Sequence, residues 1–158
     1  MSLRAIGRLV RITACLAASA AWFASALAAA ETAPRLMANP VSYFEIPVAD
    51  MARAVRFYEA VFEIDLERQQ IDGYDMVLFP FAPGAQGASG ALAKGDVYVP
   101  AKTGPILYFG VADIDAVLAR AAANGGKILY PKKDVGAFGS VAEFEDSEGN
   151  RIALHTPK

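Results

Sequence analysis

Cysteine and histidine are nearly missing from this chain, which contains one of each, Cys15 and His155. Cys15 lies in the N-terminal apolar segment, so the rest of the chain has no disulfide, no thiolate nucleophile and no cysteine ligand for a metal ion. A single histidine also excludes any site built from several histidines. These two absences exclude a thiolate nucleophile and any metal site that needs cysteine or several histidines.

Clustered positive charge is missing as well. The chain has 15 basic and 17 acidic residues, and residues 1–36 contain four of the basic and one of the acidic ones, which leaves a formal charge of −5 on the remainder. Lys132-Lys133 is the only adjacent basic pair, and we interpret it as a solvated turn. Because a nucleic-acid-binding surface needs a basic patch, no nucleic-acid partner is expected.

The first 30 residues have the order of features found in a secretory signal peptide. Three arginines precede an alanine-rich apolar run, and small residues follow it. This order predicts a signal peptide over residues 1–30, cleaved after Ala28 or Ala30, a flexible lead-in over residues 31–40, and a periplasmic or secreted protein. The apolar run is interrupted by two serines and is a poor permanent span, so no stable membrane association is expected after its removal.

An internal start at Met37 is the alternative to this leader. In that interpretation the upstream residues are not translated, and the protein stays in the cytoplasm. The order of positive charge, apolar run and small residues favours export.

A tetrapeptide near residue 48 recurs in the second half of the chain. Val48-Ala49-Asp50-Met51 corresponds to Val111-Ala112-Asp113-Ile114 at an offset of 63 residues. The apolar residues before each copy agree in register, since Phe44 stands opposite Leu107 and Ile46 opposite Phe109. A repeat of this size predicts two copies of one supersecondary unit.

The apolar pattern predicts a strand, a helix and three more strands in each half. Asp50 and Asp113 are suited to cap the two helices, and Gly125-Gly126 is suited to end the second. Residues 95–104, with prolines nearby, connect the halves. The predicted strands are Val41–Val48, Asp65–Gln69, Tyr74–Phe81 and Ser89–Lys94, then Ile106–Val111, Lys127–Tyr130, Ser140–Glu145 and Arg151–His155.

Four stretches carry a resemblance to a known superfamily: Phe44–Asp50, Phe57–Phe62, Asn124–Gly126 and Asp146–Ile152. With these stretches the chain resembles the glyoxalase/bleomycin-resistance/extradiol dioxygenase superfamily, also called vicinal oxygen chelate or VOC. The resemblance implies an α+β fold, in which two βαβββ modules form an open, curved mixed β-sheet barrel. It implies one domain, residues 41–156, made of modules 41–94 and 106–156. Glu63 departs from the pattern, because such proteins commonly have glycine there.

The metal positions that the resemblance implies hold no ordinary ligands. Many members bind a divalent ion inside the barrel through His and Glu, and the corresponding positions in this chain are Tyr43, Ala91, Ile106 and Ala153. Only Tyr43 has a side-chain oxygen, and one phenol cannot replace the hydration shell of a divalent ion. Neither a metal nor another cofactor is therefore expected.

Alternation of side chains along the strands predicts which residues face the barrel interior. If Phe44 and Ile46 pack under the first helix, Glu45 faces the interior, where it is a candidate general base; pairing with a cation such as Arg151 is the alternative. His155 is a candidate proton shuttle, and an incidental terminal histidine is the alternative. The expected ligand-binding side chains are Tyr43, Glu45, Ile106, Tyr108, Arg151 and His155.

Three functions remain after these considerations. The first is binding of a small organic ligand in a metal-free barrel, as the drug-sequestering members of the superfamily do. The second is a lyase, isomerase or dioxygenase-like activity with an atypical metal site or a metal-free pair of Glu45 and His155. The third is an interaction module that forms a homodimer and holds no ligand. The missing metal ligands favour the first.

Overall fold

A computed structural model describes residues 40–158, of which residues 41–158 form one compact unit. The predicted leader, Cys15 and all but the last residue of the lead-in lie outside the described residues. No helix in the described part is long and apolar enough to cross a bilayer. The elements are β1 Tyr43–Pro47, α1 Met51–Phe62, β2 Glu67–Ile71, β3 Tyr74–Leu78, β4 Ser89–Lys94, β5 Leu107–Gly110, α2 Ile114–Ala123, β6 Lys127–Asp134, β7 Ser140–Glu145 and β8 Arg151–Thr156.

The strands form two four-stranded mixed sheets with the same arrangement. The first sheet has the order β1-β4-β3-β2, and the second has the order β5-β8-β7-β6. Strand β1 is parallel to β4, and β5 is parallel to β8. The remaining neighbouring strands in both sheets are antiparallel. The predicted α+β fold of two similar βαβββ modules is confirmed. The sheets do not close into a barrel, because β1 and β5 are both edge strands.

Helix α1 begins and ends at residues with clear local causes. Asp50 is extended, and its carboxylate accepts a hydrogen bond from the Arg53 N–H, which satisfies one of the free donors of the first turn. The chain leaves the helix at Glu63, whose φ of 56° is in the left-handed region. The buried face comprises Met51, Ala54, Phe57, Tyr58 and Val61.

Helix α2 also begins at an aspartate cap, but a glycine takes the left-handed conformation at its end. Asp113 is also extended, and its carboxylate accepts from the Ala116 N–H. Gly125, with φ of 92°, adopts the left-handed conformation just after the helix, as its sequence position predicts. The buried face comprises Ile114, Val117, Leu118 and Ala121.

Both helices and one face of each sheet share a single apolar core. Partly buried aromatic side chains pack against it: Phe62 stacks on Phe109 with ring centroids 4.7 Å apart, and Phe44 meets Phe109 edge-on at 5.7 Å. Phe44 and Ile46 pack into this core as the strand alternation predicts. The alternate residues of β1 therefore lie on the face that carries no helix, which we call the open face.

A turn of the second module holds the start of α1 in the first. Both Ala49 and Asp50 donate their backbone N–H to Glu148 Oε2, at 3.0 and 2.9 Å, and Arg53 forms an ion pair with the same carboxylate. Below them the Tyr58 hydroxyl donates to Asp146 Oδ2 at 2.7 Å within the core. This turn, Asp146–Asn150, therefore fixes the position of one module relative to the other.

Strand β6 is longer than the sequence predicts, and the interpretation of Lys132-Lys133 as a turn is wrong. Both lysines lie on β6, where Lys132 pairs with Asp115 at 2.7 Å. The strand continues past Pro131 because β6 is an edge strand, where a missing N–H is tolerated, and its register shifts on either side of Tyr130.

Candidate functional site

A cavity of about 470 Å³ lies where the edge strands β1 and β5 approach each other. Its walls come from β1, the start of β5, the start of β8 and the connector between the modules. A mostly apolar cleft of this size with a few placed polar groups suits a small organic molecule. The lining residues are Val41, Phe44, Glu45, Ile46, Pro47, Val99, Ala101, Thr103, Pro105, Ile106, Leu107, Asn150, Arg151 and Ile152.

Glu45 is held at this cavity by a tyrosine of the connector. The Tyr98 hydroxyl donates to Glu45 Oε2 at 2.8 Å, and this hydrogen bond is the main reason why the pKa of Tyr98 rises to about 12. Tyr98 also packs over the small buried cluster of Met76, Ala91 and Ala93 on the open face of the first sheet. Glu45 therefore presents an oriented carboxylate to the cavity, and Tyr98 remains a neutral donor at ordinary pH.

Arg151 lines the opposite wall, and its charge is neutralised by Glu143 rather than by Glu45. Both Nε and Nη2 of the guanidinium donate to Glu143 Oε2, the first at 2.7 Å. The Glu143 side chain is 12 % exposed, whereas the Arg151 side chain is 40 % exposed. The pairing of Glu45 with Arg151, considered as an alternative from the sequence, does not occur.

Asn150 joins three walls of the cavity. Its Nδ2 donates to the Pro47 carbonyl of β1 at 2.9 Å and to the Asp146 carboxylate, and its Oδ1 accepts from the Ala101 N–H of the connector. Asn150 is 5 % exposed, so replacing its amide would leave several buried groups without partners. The cavity wall is thus set by a buried hydrogen-bond network.

The six predicted ligand-binding side chains do not surround one cavity. Glu45, Ile106 and Arg151 line the cavity between β1 and β5. Tyr43 instead lines a smaller pocket of about 140 Å³ beside Phe81; burial and then the Glu45 carboxylate raise the pKa of its hydroxyl. Tyr108 is half exposed on the open face of the second sheet.

His155 lies apart from the cavity residues. Its Nε2 is 2.6 Å from the Phe138 carbonyl oxygen, at the turn that precedes β7. Because Glu45 lines the cavity and His155 does not, the geometry does not bring these two side chains together as an acid–base pair around it.

The donor set does not fit a divalent ion at the positions that the superfamily uses. Ala91 and Ala153 are completely buried and have no side-chain donor, and Tyr43 and Ile106 add one phenol between them. Nowhere in residues 40–158 do three His, Cys, Asp or Glu side chains converge in a way that would hold a metal ion.

Three residues of this site are absent from the sequence predictions, although a pattern could have identified one of them. Tyr98 lies in the connector, where no periodicity predicts its direction. Glu143 shares the open face with Ala153, its partner across the β7–β8 ladder, so hairpin register would place it diagonally from Arg151. Asn150 belongs to the turn that carries the superfamily resemblance, but its contacts with Pro47 and Ala101 depend on the tertiary fold.

Comparison with known proteins agrees with this architecture. The sequence profile of the Glyoxalase/Bleomycin resistance protein/Dioxygenase superfamily matches residues 41–154. The chain therefore belongs to this superfamily. No curated protein matches the chain significantly.

Solved structures of similar fold include binding proteins and enzymes. TnmS3, an antibiotic binding protein from Streptomyces sp. CB03234, is 27 % identical, with a TM-score of 0.55 over 77 % of this chain and 99 % of that one. A glyoxalase/bleomycin resistance protein from Albidiferax ferrireducens T118 is 19 % identical, with a TM-score of 0.56 over 75 % and 98 %. The trypanothione-dependent glyoxalase I of Leishmania major is 20 % identical, with a TM-score of 0.56 over 72 % and 84 %. The last two likenesses concern the fold alone.

Proposed function

We propose that this protein binds a small organic molecule in the cavity between β1 and β5, without a metal ion. The observation that carries the proposal is the cavity itself: apolar walls, with Glu45 and Arg151 each oriented by a protein partner. Groups that are already oriented lose little entropy when a ligand arrives, which favours binding. The similarity to an antibiotic binding protein supports the same class of function.

The lining of the cavity suggests which chemical groups the ligand carries. An apolar body would lie against Phe44, Ile106 and Ile152, and a hydrogen-bond donor would meet Glu45. Because Arg151 is already neutralised by Glu143, an anionic group gains less there than it would beside a free guanidinium. We therefore expect neutral or donor-bearing ligands to be preferred over acids.

A thermal-shift screen of drug-like molecules, run with and without divalent cations, tests the proposal. Molecules that bind only the folded protein raise its Tm. Ile106→Trp should fill the cavity and remove the shift that a hit produces. Ile128→Trp is the matched control, because Ile128 is similarly exposed at 45 % but lies on β6, away from the cavity.

Two results would count against the proposal. If Ile106→Trp and Ile128→Trp retain the same ligand-induced shift, the ligand is bound elsewhere. If the purified protein contains one stoichiometric divalent ion per chain, the metal-free part of the proposal fails.

A further inference from the structure

A second pocket lies among the elements of the shared core. It has a volume of about 530 Å³ and shares no lining residue with the cavity between β1 and β5. It opens between the end of α1, the end of β5 and the first two turns of α2. Its lining residues are Phe62, Glu63, Ile64, Phe79, Phe109, Gly110, Val111, Ala112, Asp113, Ala116, Val117 and Arg120.

The floor of this pocket is aromatic. Phe62 and Phe109 stack with centroids 4.7 Å apart, and Phe79 meets Phe109 at 5.5 Å. Phe62 and Phe109 are only partly buried, and their rings line the pocket. Aromatic faces attract both apolar groups and cations.

Among the described residues, the one cation that lines the pocket already has partners. Arg120 donates through Nε to the Val61 carbonyl at 2.7 Å, and its Nη1 lies 3.2 Å from Glu63 Oε2. Glu63 makes this pair from the left-handed conformation, which a non-glycine residue rarely adopts. Arg120 is therefore balanced by Glu63 and is poorly placed to attract an anionic ligand.

Of the three charged residues that line the pocket, Asp113 is the one outside the pair of Arg120 and Glu63. Its Oδ1 accepts from the Ala116 N–H, and it takes part in no ion pair among residues 40–158. The neighbouring cation Lys132 forms its ion pair with Asp115, and the Asp113 charge acts on it only from beyond ion-pair distance. The pocket thus combines an aromatic floor with one carboxylate at its rim that caps α2 and forms no ion pair among the described residues.

We propose that this pocket is a second ligand site that takes a small organic ammonium ion on an aromatic or short alkyl body. The apolar body lies on Phe62 and Phe109, and the ammonium group meets the Asp113 carboxylate at the rim. The charge complementarity selects against carboxylates of the same shape, because Asp113 repels them and Arg120 is occupied.

Titration of the isotope-labelled protein with three probes, followed by amide chemical shifts, tests this inference. Phenethylamine should shift the amides of Gly110 and Ala116, and 3-phenylpropionate should not. The neutral 2-phenylethanol should bind more weakly than the amine by about fivefold, because it lacks the ionic contact.

Two pairs of variants locate the site. Asp113→Asn keeps a good helix cap but removes the charge, and should weaken phenethylamine binding by about fivefold; Asp50→Asn, the equivalent change on α1, should leave it unchanged. Ala116→Leu projects into the pocket and should abolish binding, whereas Ala119→Leu on the exposed side of α2 should not.

The inference is overturned if phenethylamine shifts no amide around the pocket, or if its shifts centre on Ala101 and Ile106. It is also overturned if the acid binds as well as the amine, or if Asp113→Asn and Asp50→Asn have equal effects.

Discussion

Tyr58 and Asp146 form a polar contact in the middle of an otherwise apolar core. Tyr58 is completely buried; burial first, and the Asp146 carboxylate second, raise the pKa of its hydroxyl well above the ordinary value. The hydroxyl therefore stays protonated and donates to the carboxylate. Tyr58→Phe should lower the free energy of unfolding by about 1–2 kcal/mol, because Asp146 loses a buried donor.

Urea unfolding followed by circular dichroism measures this effect. Tyr108→Phe is the control, since Tyr108 is half exposed on the open face and should change stability by less than about 0.5 kcal/mol. Equal stability of Tyr58→Phe and the parent protein would show that the hydroxyl is not needed to satisfy Asp146.

Glu148 makes the stability of the fold depend on pH. Burial alone would raise the pKa of Glu148, but hydrogen bonds from Arg53, the Asp50 N–H and Ser147 together lower it below the ordinary value. A carboxyl group with a lowered pKa in the folded state contributes stability above its unfolded pKa, and this contribution is lost as pH falls through the folded pKa. The free energy of unfolding should therefore fall as pH drops below about 4.5.

Glu148→Gln should reduce this acid sensitivity, at the cost of lower stability near neutral pH. Unfolding curves collected from pH 3 to pH 7 provide the comparison. If the two proteins have parallel profiles over that range, Glu148 is not the group responsible.

At the scale of elements, α1 ends at Glu63 in a backbone conformation that glutamate rarely adopts. Glu63 adopts a φ of 56°, where glycine is preferred, and its 70 % exposed side chain gains an ion pair with Arg120. An exposed ion pair contributes about 0.5 kcal/mol, less than the cost of about 1 kcal/mol for the left-handed conformation. Glu63→Gly should therefore raise the free energy of unfolding by about 0.5 kcal/mol.

Glu63→Ala is the control variant, because it loses the ion pair with Arg120 but keeps the unfavourable backbone conformation. It should lower stability by about 0.5 kcal/mol, and chemical denaturation would resolve the difference between the variants. Lower stability of Glu63→Gly than of Glu63→Ala would contradict this balance.

Most elements could be predicted because their causes are local. Alternation in β1, the caps Asp50 and Asp113, and the stop at Gly125 all act within a few residues. The extension of β6 past Pro131 could not be predicted, since it depends on β6 being an edge strand. In the site, alternation predicts that Glu45 points away from the core, but Tyr98 comes from another part of the chain.

At the scale of the whole molecule, the apolar leader remains a proposal that mass spectrometry can test. We expect the protein isolated from its native host to begin after Ala28 or Ala30 and to be found in the periplasm or the medium. Intact-mass measurement identifies the first residue directly. A mass that corresponds to a start at Met37, in protein from the cytoplasm, would replace this interpretation with the alternative one.

The contact between Glu148 and the start of α1 also determines when the first module can be completed during synthesis. The residues that it joins, Ala49 and Glu148, are 99 positions apart. A ribosome adding about 5–20 residues per second needs about 5–20 s to cover that distance. For that interval the nascent first module has its own strands and helix but lacks the carboxylate that holds the helix start. Its aromatic face also lacks the second sheet until residues 107–156 have emerged, and transiently exposed apolar surface of this kind is prone to aggregation.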